Sequence, residues 1–156
     1  MTATPASTSE NFEVLVAPHT IDYTYTRSTG PMIGAYLTGL REGKIFGSRG
    51  SDGRVLVPAI DYDPITSETL TEVVEVADTG IVTTWSWVDQ PREGQPLQKP
   101  FAWALVLLDG ANTPFLAAVD AGSPDQIGTG VRVRAYWKPG RIGVAGDLTF
   151  VLEENA

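Results

Sequence analysis

The chain has few of the side chains that covalent catalysis requires. It contains no cysteine and a single histidine, His19, which follows a proline near the N-terminus. No Gly-x-Ser-x-Gly elbow is present to hold a serine nucleophile. Asp52, Asp61 and Asp63 carry oxygens that a hard cation could use, but aspartates in turns usually accept hydrogen bonds from the turn itself. We therefore predict no catalytic residue, no metal ion and no cofactor in this chain.

A second set of chemical groups follows one face of a predicted strand near the C-terminus. Strand geometry places Arg132, Arg134 and Lys138 on the same side of residues 131–138, and Arg141 lies just beyond. Such a row could bind an anion, either the phosphates of coenzyme A or carboxylates on a partner protein. The alternative, which is the commoner arrangement, is a solvated face whose arginines offset nearby acidic residues. The residues alone leave both interpretations open.

Aromatic side chains are concentrated in the predicted strands of the second half of the chain. They could stack on nucleic-acid bases, as the aromatic residues of many OB-folds do. Core filling explains most of them better, because a small barrel needs bulky side chains inside. The residues concerned are Trp85, Trp87, Phe101, Trp103 and Trp137.

Composition restricts the class of partner. The 156 residues suit one domain of ordinary size, and 42% apolar residues suffice for a core. The net charge of −8 would repel a polyanion, so we expect no nucleic-acid partner. The absence of cysteine fits a reducing compartment, and the first ten residues lack the features of a signal peptide. No apolar run is long enough to span a bilayer, so we predict a cytoplasmic protein without a membrane partner.

The N-terminal third contains an arm and one amphipathic helix. Residues 1–10 are predicted to be disordered, and the alternation of Ile21, Tyr23 and Tyr25 with polar residues indicates a strand. The spacing predicts a helix over residues 31–42, capped by Ser28 or Thr29 and stopped by Gly43. The arm packs either on its own domain or on a partner. The residues predicted to contact a partner are Tyr23, Tyr25, Met32, Ile33, Tyr36, Leu37 and Leu40.

The remainder of the chain predicts a mainly β fold. We expect one long strand over residues 69–88, interrupted near residues 78–80, where Gly80 could supply a bulge or bend, and then a proline-rich loop over residues 89–100. Four further strands are predicted at residues 101–108, 115–120, 131–138 and 148–152. Five short strands with this spacing suit the small Greek-key barrel of an OB-fold.

Ahead of these strands, two neighbouring turns have the layout of a metal-binding ribbon. Residues 44–58 predict a hairpin that turns at 51–53, and a knuckle follows at residues 62–66. With the helix before it and the strands after it, this order resembles an acyl-CoA-associated family in which a rubredoxin-like zinc ribbon precedes an OB-fold. The likeness extends over about residues 30–152. The family's ribbon carries Cys-x-x-Cys and Cys-Pro-x-Cys, where this chain has Gly50, Gly53 and Asp63-Pro-Ile-Thr. The ribbon is thus degenerate and predicted to be free of zinc.

The resemblance implies a division into residues 1–29 as an arm, 30–67 as helix and ribbon, and 68–156 as the OB-fold. Members of the family occur beside thiolase-like enzymes and MaoC-type hydratases in the degradation of acyl-CoA esters, including steroid side chains. By this resemblance the chain would be a non-catalytic accessory subunit in a hetero-oligomer with a thiolase-like enzyme, a carbon–carbon lyase or acetyltransferase. Acyl-CoA would then be shared at the complex. Two alternatives are a stand-alone acyl-CoA-binding module and an OB-fold that binds single-stranded nucleic acid.

Overall fold

The computed structural model describes residues 16–153. Its regular elements are one α-helix and eight strands, together with two 3₁₀ turns at Pro124–Gln126 and Ala145–Asp147. In chain order the elements are α1 (Pro31–Glu42), β1 (Ile45–Arg49), β2 (Val55–Leu56), β3 (Val73–Val76), β4 (Thr79–Val88), β5 (Phe101–Leu108), β6 (Phe115–Asp120), β7 (Arg132–Trp137) and β8 (Leu148–Leu152).

The predicted helix is confirmed, but its N-terminal cap differs from the prediction. No side chain at Ser28 or Thr29 caps it, and a glycine occupies the N-cap position. The Met32 amide instead donates to Oδ1 of Asp61 at 3.0 Å, from a residue 29 positions later in the chain. A carboxylate at a helix N-terminus satisfies a free backbone N–H and interacts favourably with the helix dipole. The helix is therefore tied at its start to the segment after β2.

Its C-terminus ends as predicted. Gly43 adopts the left-handed conformation (φ 81°), and the Lys44 amide donates to the Gly39 carbonyl at 2.8 Å. The buried face is the row formed by Met32, Tyr36 and Leu40, spaced four residues apart. The helix packs with this row against β1 and against the 3₁₀ turn that precedes β8.

The single strand predicted over residues 69–88 is wrong, because two strands in different sheets occupy this segment, although the interruption predicted near residues 78–80 lies at their boundary. β3 pairs antiparallel with β1 in a three-stranded sheet of order β2-β1-β3, whereas β4 begins the barrel. The predicted bulge at Gly80 is also displaced, since the register shifts between Val82 and Thr84. Gly80 is instead a point of close backbone approach, where an added Cβ would lie 2.4 Å from the Leu107 carbonyl oxygen.

The five remaining strands confirm the predicted OB-fold. They form a closed barrel of order β4-β5-β6-β8-β7, completed by antiparallel pairing of β4 with β7, and only β6 and β8 run parallel. The barrel core contains side chains from all five strands: Val82, Ala102, Ala104, Val106, Leu108, Ala117, Val119, Val133, Ala135, Leu148 and Phe150. This core is continuous with the buried face of α1 and the small sheet.

The described part of the N-terminal arm, residues 16–29, contains no strand, contrary to the sequence prediction. All of these residues are exposed, so the arm does not pack on its own domain. Ile21, Tyr23 and Tyr25 are 77%, 74% and 73% exposed. The physical reason is that a single extended segment has no neighbouring strand here to take its backbone hydrogen bonds. The predicted disordered residues 1–10 lie outside the described range.

Candidate docking surface

The tip of the small sheet is built around one carboxylate. Asp63 lies buried between the turn at residues 50–53 and the knuckle at residues 63–66. Its Oδ2 accepts from the Ser51 amide at 2.8 Å and from the Ser51 hydroxyl at 2.9 Å. Its Oδ1 accepts from the amides of Ile65 at 2.7 Å and Thr66 at 3.1 Å. A single side chain thus holds together two turns that are 12 residues apart in the chain.

Hydrogen bonding to the ionised form lowers the pKa of Asp63 well below its ordinary range, with the Ser51 amide as the largest cause and the Ile65 amide next. The donors at this tip do not fit a tetrahedral zinc ion. No thiol or imidazole lies at either turn, and both carboxylate oxygens of Asp63 already accept from backbone and hydroxyl donors. Within residues 16–153 no group of three side chains is arranged to ligate a metal.

The other two aspartates singled out from the sequence also accept hydrogen bonds from backbone amides. Asp61 caps α1, as described above. Asp52 accepts from the Arg54 amide at 3.0 Å and forms an ion pair with the Arg54 guanidinium. The prediction that these aspartates serve their own turns is therefore confirmed for Asp52, whereas Asp61 accepts from a helix that lies 29 residues earlier.

The basic face of β7 has the predicted alternation, but its cations have different environments. Arg132 donates to both oxygens of Asp109 at 2.8 and 2.7 Å and to Glu153 at 2.8 Å. These bonds raise the pKa of Arg132 and lower the pKa of Asp109 to about 2, mainly through the Arg132 hydrogen bond. Arg132 is thus already bound to carboxylates of its own chain.

The other three predicted anion-binding cations do not converge on one site. Arg141 stacks over the Trp137 ring at 5.8 Å, and its Nε donates to the Arg41 carbonyl at 3.2 Å. Arg134 and Lys138 are exposed, and neither forms an ion pair within the described residues. Of the four predicted anion-binding cations, only these two are exposed without an ion pair or side-chain hydrogen bond in the described part of the chain.

Core packing accounts for most of the aromatic set, as the sequence indicated. Phe101 is fully buried and meets Trp103 edge to face, with ring centroids 5.3 Å apart. Trp85, Trp87 and Trp137 are half-buried against the core.

An apolar groove that the sequence prediction missed lies on the outer face of β5 and β6. Its volume is about 380 Å³, and it extends from the β4–β5 loop to the 3₁₀ turn before β8, with α1 at one side. Leu116, which is 62% exposed, and the half-buried Trp103 contribute its strand surface, and Tyr36 contributes its helix wall. The signal in the sequence that could have revealed this groove is strand alternation, which places Leu116 and Trp103, on neighbouring strands, facing away from the barrel core. No charged side chain lines the groove.

The structure divides the predicted partner-binding residues into two groups. Met32, Tyr36 and Leu40 pack into the chain's own core, because the buried row of α1 passes through them. Leu37 is half-buried, and Ile33 faces outward. Tyr23 and Tyr25 are exposed on the arm with ring centroids 6.0 Å apart. His19 is exposed on the same arm. The accessible apolar part of this set is therefore the arm with the outer edge of the helix.

Comparison with known proteins agrees with the barrel. Residues 73–138, less than half of the chain, match the sequence model of the family described as ChsH2, C-terminal OB-fold domain. This match begins at β3, which pairs with the small sheet, and ends just after β7. No curated protein matches the chain.

In residues 16–153 no helix is both long and apolar enough to cross a membrane.

Two solved structures have similar folds. One is a crystal structure of a protein of unknown function from the DUF35 family of Sulfolobus solfataricus, at 22% identity and a TM-score of 0.59, covering 80% of this chain and 87% of that one. The other is described as the Ltp2-ChsH2(DUF35) aldolase, at 18% identity and a TM-score of 0.59, covering 81% of this chain and 96% of that one. At these identities the likeness establishes the fold alone. Together with the family match, it supports a DUF35/ChsH2-type OB-fold in this chain.

Proposed function

We propose that this chain is a non-catalytic accessory subunit that binds and stabilises a thiolase-like acyl-CoA enzyme, either a carbon–carbon lyase or an acetyltransferase. The observation that carries the proposal is the exposed arm. Ile21, Tyr23 and Tyr25 extend into solvent although the chain has a complete core without them. Large apolar and aromatic side chains exposed in a group are typical of a protein–protein contact. The solved aldolase assembly named for Ltp2 and ChsH2(DUF35) suggests the class of partner.

The chemistry of the described residues is consistent with a supporting role. The one histidine lies on the exposed arm, away from the groove and the barrel. The buried carboxylates Asp63 and Asp147 accept several backbone hydrogen bonds each, which keeps them ionised and unsuited to act as general acids at neutral pH. In this proposal the nucleophile and base come from the partner, and acyl-CoA binds in the complex.

Co-expression with thiolase-like proteins of the same genome tests the proposal. We expect the tagged chain to co-elute with one of them in a fixed ratio and to raise its thermal midpoint. The isolated chain should not bind coenzyme A in calorimetry, because Arg132 and Arg141 are already engaged. A chain that remains a lone monomer beside every such protein would contradict the proposal. Binding of coenzyme A by the isolated chain, lost in Arg134→Glu, would favour the stand-alone acyl-CoA module instead.

A further inference from the structure

We infer that residues 21–25 of the arm dock on the partner as an added β-strand, with Ile21, Tyr23 and Tyr25 entering an apolar cleft beside an open sheet edge. The inference rests on the proposed function and specifies how the partner is bound. In this mode of recognition, backbone hydrogen bonds supply affinity and alternate side chains supply specificity.

The arm has the sequence of a strand without the structure of one. Three large side chains alternate with Asp22 and Thr24, so an extended backbone places them all on one face. The arm is irregular in the structure, and within the described residues no backbone group of residues 16–28 hydrogen-bonds to the body of the protein. A strand-forming segment of this kind becomes ordered only when another strand pairs with it.

The chain's own sheets offer little for the arm to pair with. The barrel is closed and has no free edge. The outer edge of β2 is already occupied, because Val55 exchanges two hydrogen bonds of 2.8 Å with Asn112 and the Val57 amide donates to the Thr113 hydroxyl at 2.9 Å. Only the four-residue β3 remains as an edge of the small sheet.

A second copy of this chain is the less favourable acceptor. It would offer only that short β3 edge, and each copy carries a net charge of −8, which opposes self-association. The favoured occupant is therefore a different protein with an unpaired edge strand and an apolar depression that admits two tyrosine rings. Tyrosine suits such a contact because its ring buries a large area with few rotatable bonds while its hydroxyl reaches a polar rim.

The two faces of the arm provide a matched test in the full-length chain co-expressed with the thiolase-like protein. Tyr23→Ser with Tyr25→Ser removes the aromatic face, and Asp22→Ser with Thr24→Ser alters the opposite face by the same number of substitutions. We expect the double tyrosine variant to raise the Kd of the complex at least 100-fold, and the control variant to change that Kd less than about threefold. Hydrogen exchange at residues 21–25 should slow in the wild-type complex, because strand pairing protects alternate amides.

The outcomes separate the inference from the proposed function. A complex that tolerates the tyrosine pair, or leaves residues 21–25 unprotected, overturns the arm inference and leaves the proposed function intact. If no complex forms with the wild-type chain, both are overturned. A homodimer of the isolated chain that the tyrosine pair converts to monomer would identify a second copy as the acceptor and would also overturn the inference. Since the arm lies outside the core, thermal midpoints of the variants should match the wild type, which shows that they fold.

Discussion

Replacing Asp63 by asparagine should separate the two turns at the tip of the small sheet. The substitution keeps the size of the side chain but turns one oxygen into a donor. The NH2 of the asparagine side chain would face either Ser51, whose hydroxyl can turn to accept but whose amide cannot, or the Ile65 and Thr66 amides. One or two of the four hydrogen bonds are therefore lost, and a side-chain donor opposes backbone donors. Buried donors left without an acceptor are costly, and we expect the thermal midpoint at pH 7 to fall by roughly 10 °C.

The pH dependence of the effect gives a second and independent test. The folded-state pKa of Asp63 lies below its unfolded value, so the stability it contributes is complete above the unfolded pKa of about 4 and is lost as pH falls through the folded pKa. The gap between wild type and Asp63→Asn should therefore stay constant from about pH 8 to 5 and shrink in more acidic solution.

The assay is thermal unfolding followed by circular dichroism, combined with hydrogen exchange at residues 50–53 and 63–66. Asp52→Asn is the matched control at the same tip, because Asp52 bonds only to Arg54 within one turn. The thermal midpoint of this control variant should differ from that of the wild type by less than about 2 °C. Equal stability of Asp63→Asn and wild type at pH 7 would refute the reasoning. A gap that persists unchanged to about pH 2 would refute the charge-based part of it.

Three further predictions concern the barrel. Gly80→Ala should destabilise the fold by about 1–3 kcal/mol in urea unfolding, because its Cβ meets a β5 carbonyl at 2.4 Å, whereas Gly146→Ala, with open space at that site, should be neutral; equal effects would contradict this. Asp147→Ala should speed amide exchange in the β7–β8 loop, since its Oδ2 accepts from three consecutive amides at 2.7–3.0 Å; unchanged exchange would argue against that role. Arg132→Ala should lower the urea midpoint only slightly and lose part of its effect in high salt, because its ion pairs with Asp109 and a second carboxylate are exposed; a large, salt-insensitive loss would disagree.

Local sequence patterns correctly predicted the helix and strands whose bounds are set by nearby residues. The helix over residues 31–42, its glycine stop and the four later barrel strands follow from periodicity and turn residues, and the structure has them within one residue of the predicted bounds. The resemblance to the zinc-ribbon and OB-fold family added the expectation that a helix and a ribbon hairpin precede the barrel. Alternation also placed Arg132, Arg134 and Lys138 correctly on the outer face of β7.

Long-range contacts account for what the sequence did not predict. Asp61 caps a helix 29 residues earlier in the chain, and Asp63 joins two turns, and neither role has a local pattern. The sequence indicated an interruption near residues 78–80, but the assignment of β3 and β4 to different sheets depends on which strands each one pairs with. The arm shows the converse case: Ile21, Tyr23 and Tyr25 have strand periodicity, but no other strand lies beside them to pair with.

The proposed division of labour between this chain and a thiolase-like partner is tested most directly by assaying carbon–carbon bond cleavage or acetyl transfer on acyl-CoA thioesters. The assay compares the purified chain, the thiolase-like protein and their complex. The account predicts no turnover by the chain alone, full turnover by the complex, and loss of turnover when only the partner's nucleophile is replaced. Turnover of a thioester by the isolated chain would contradict it.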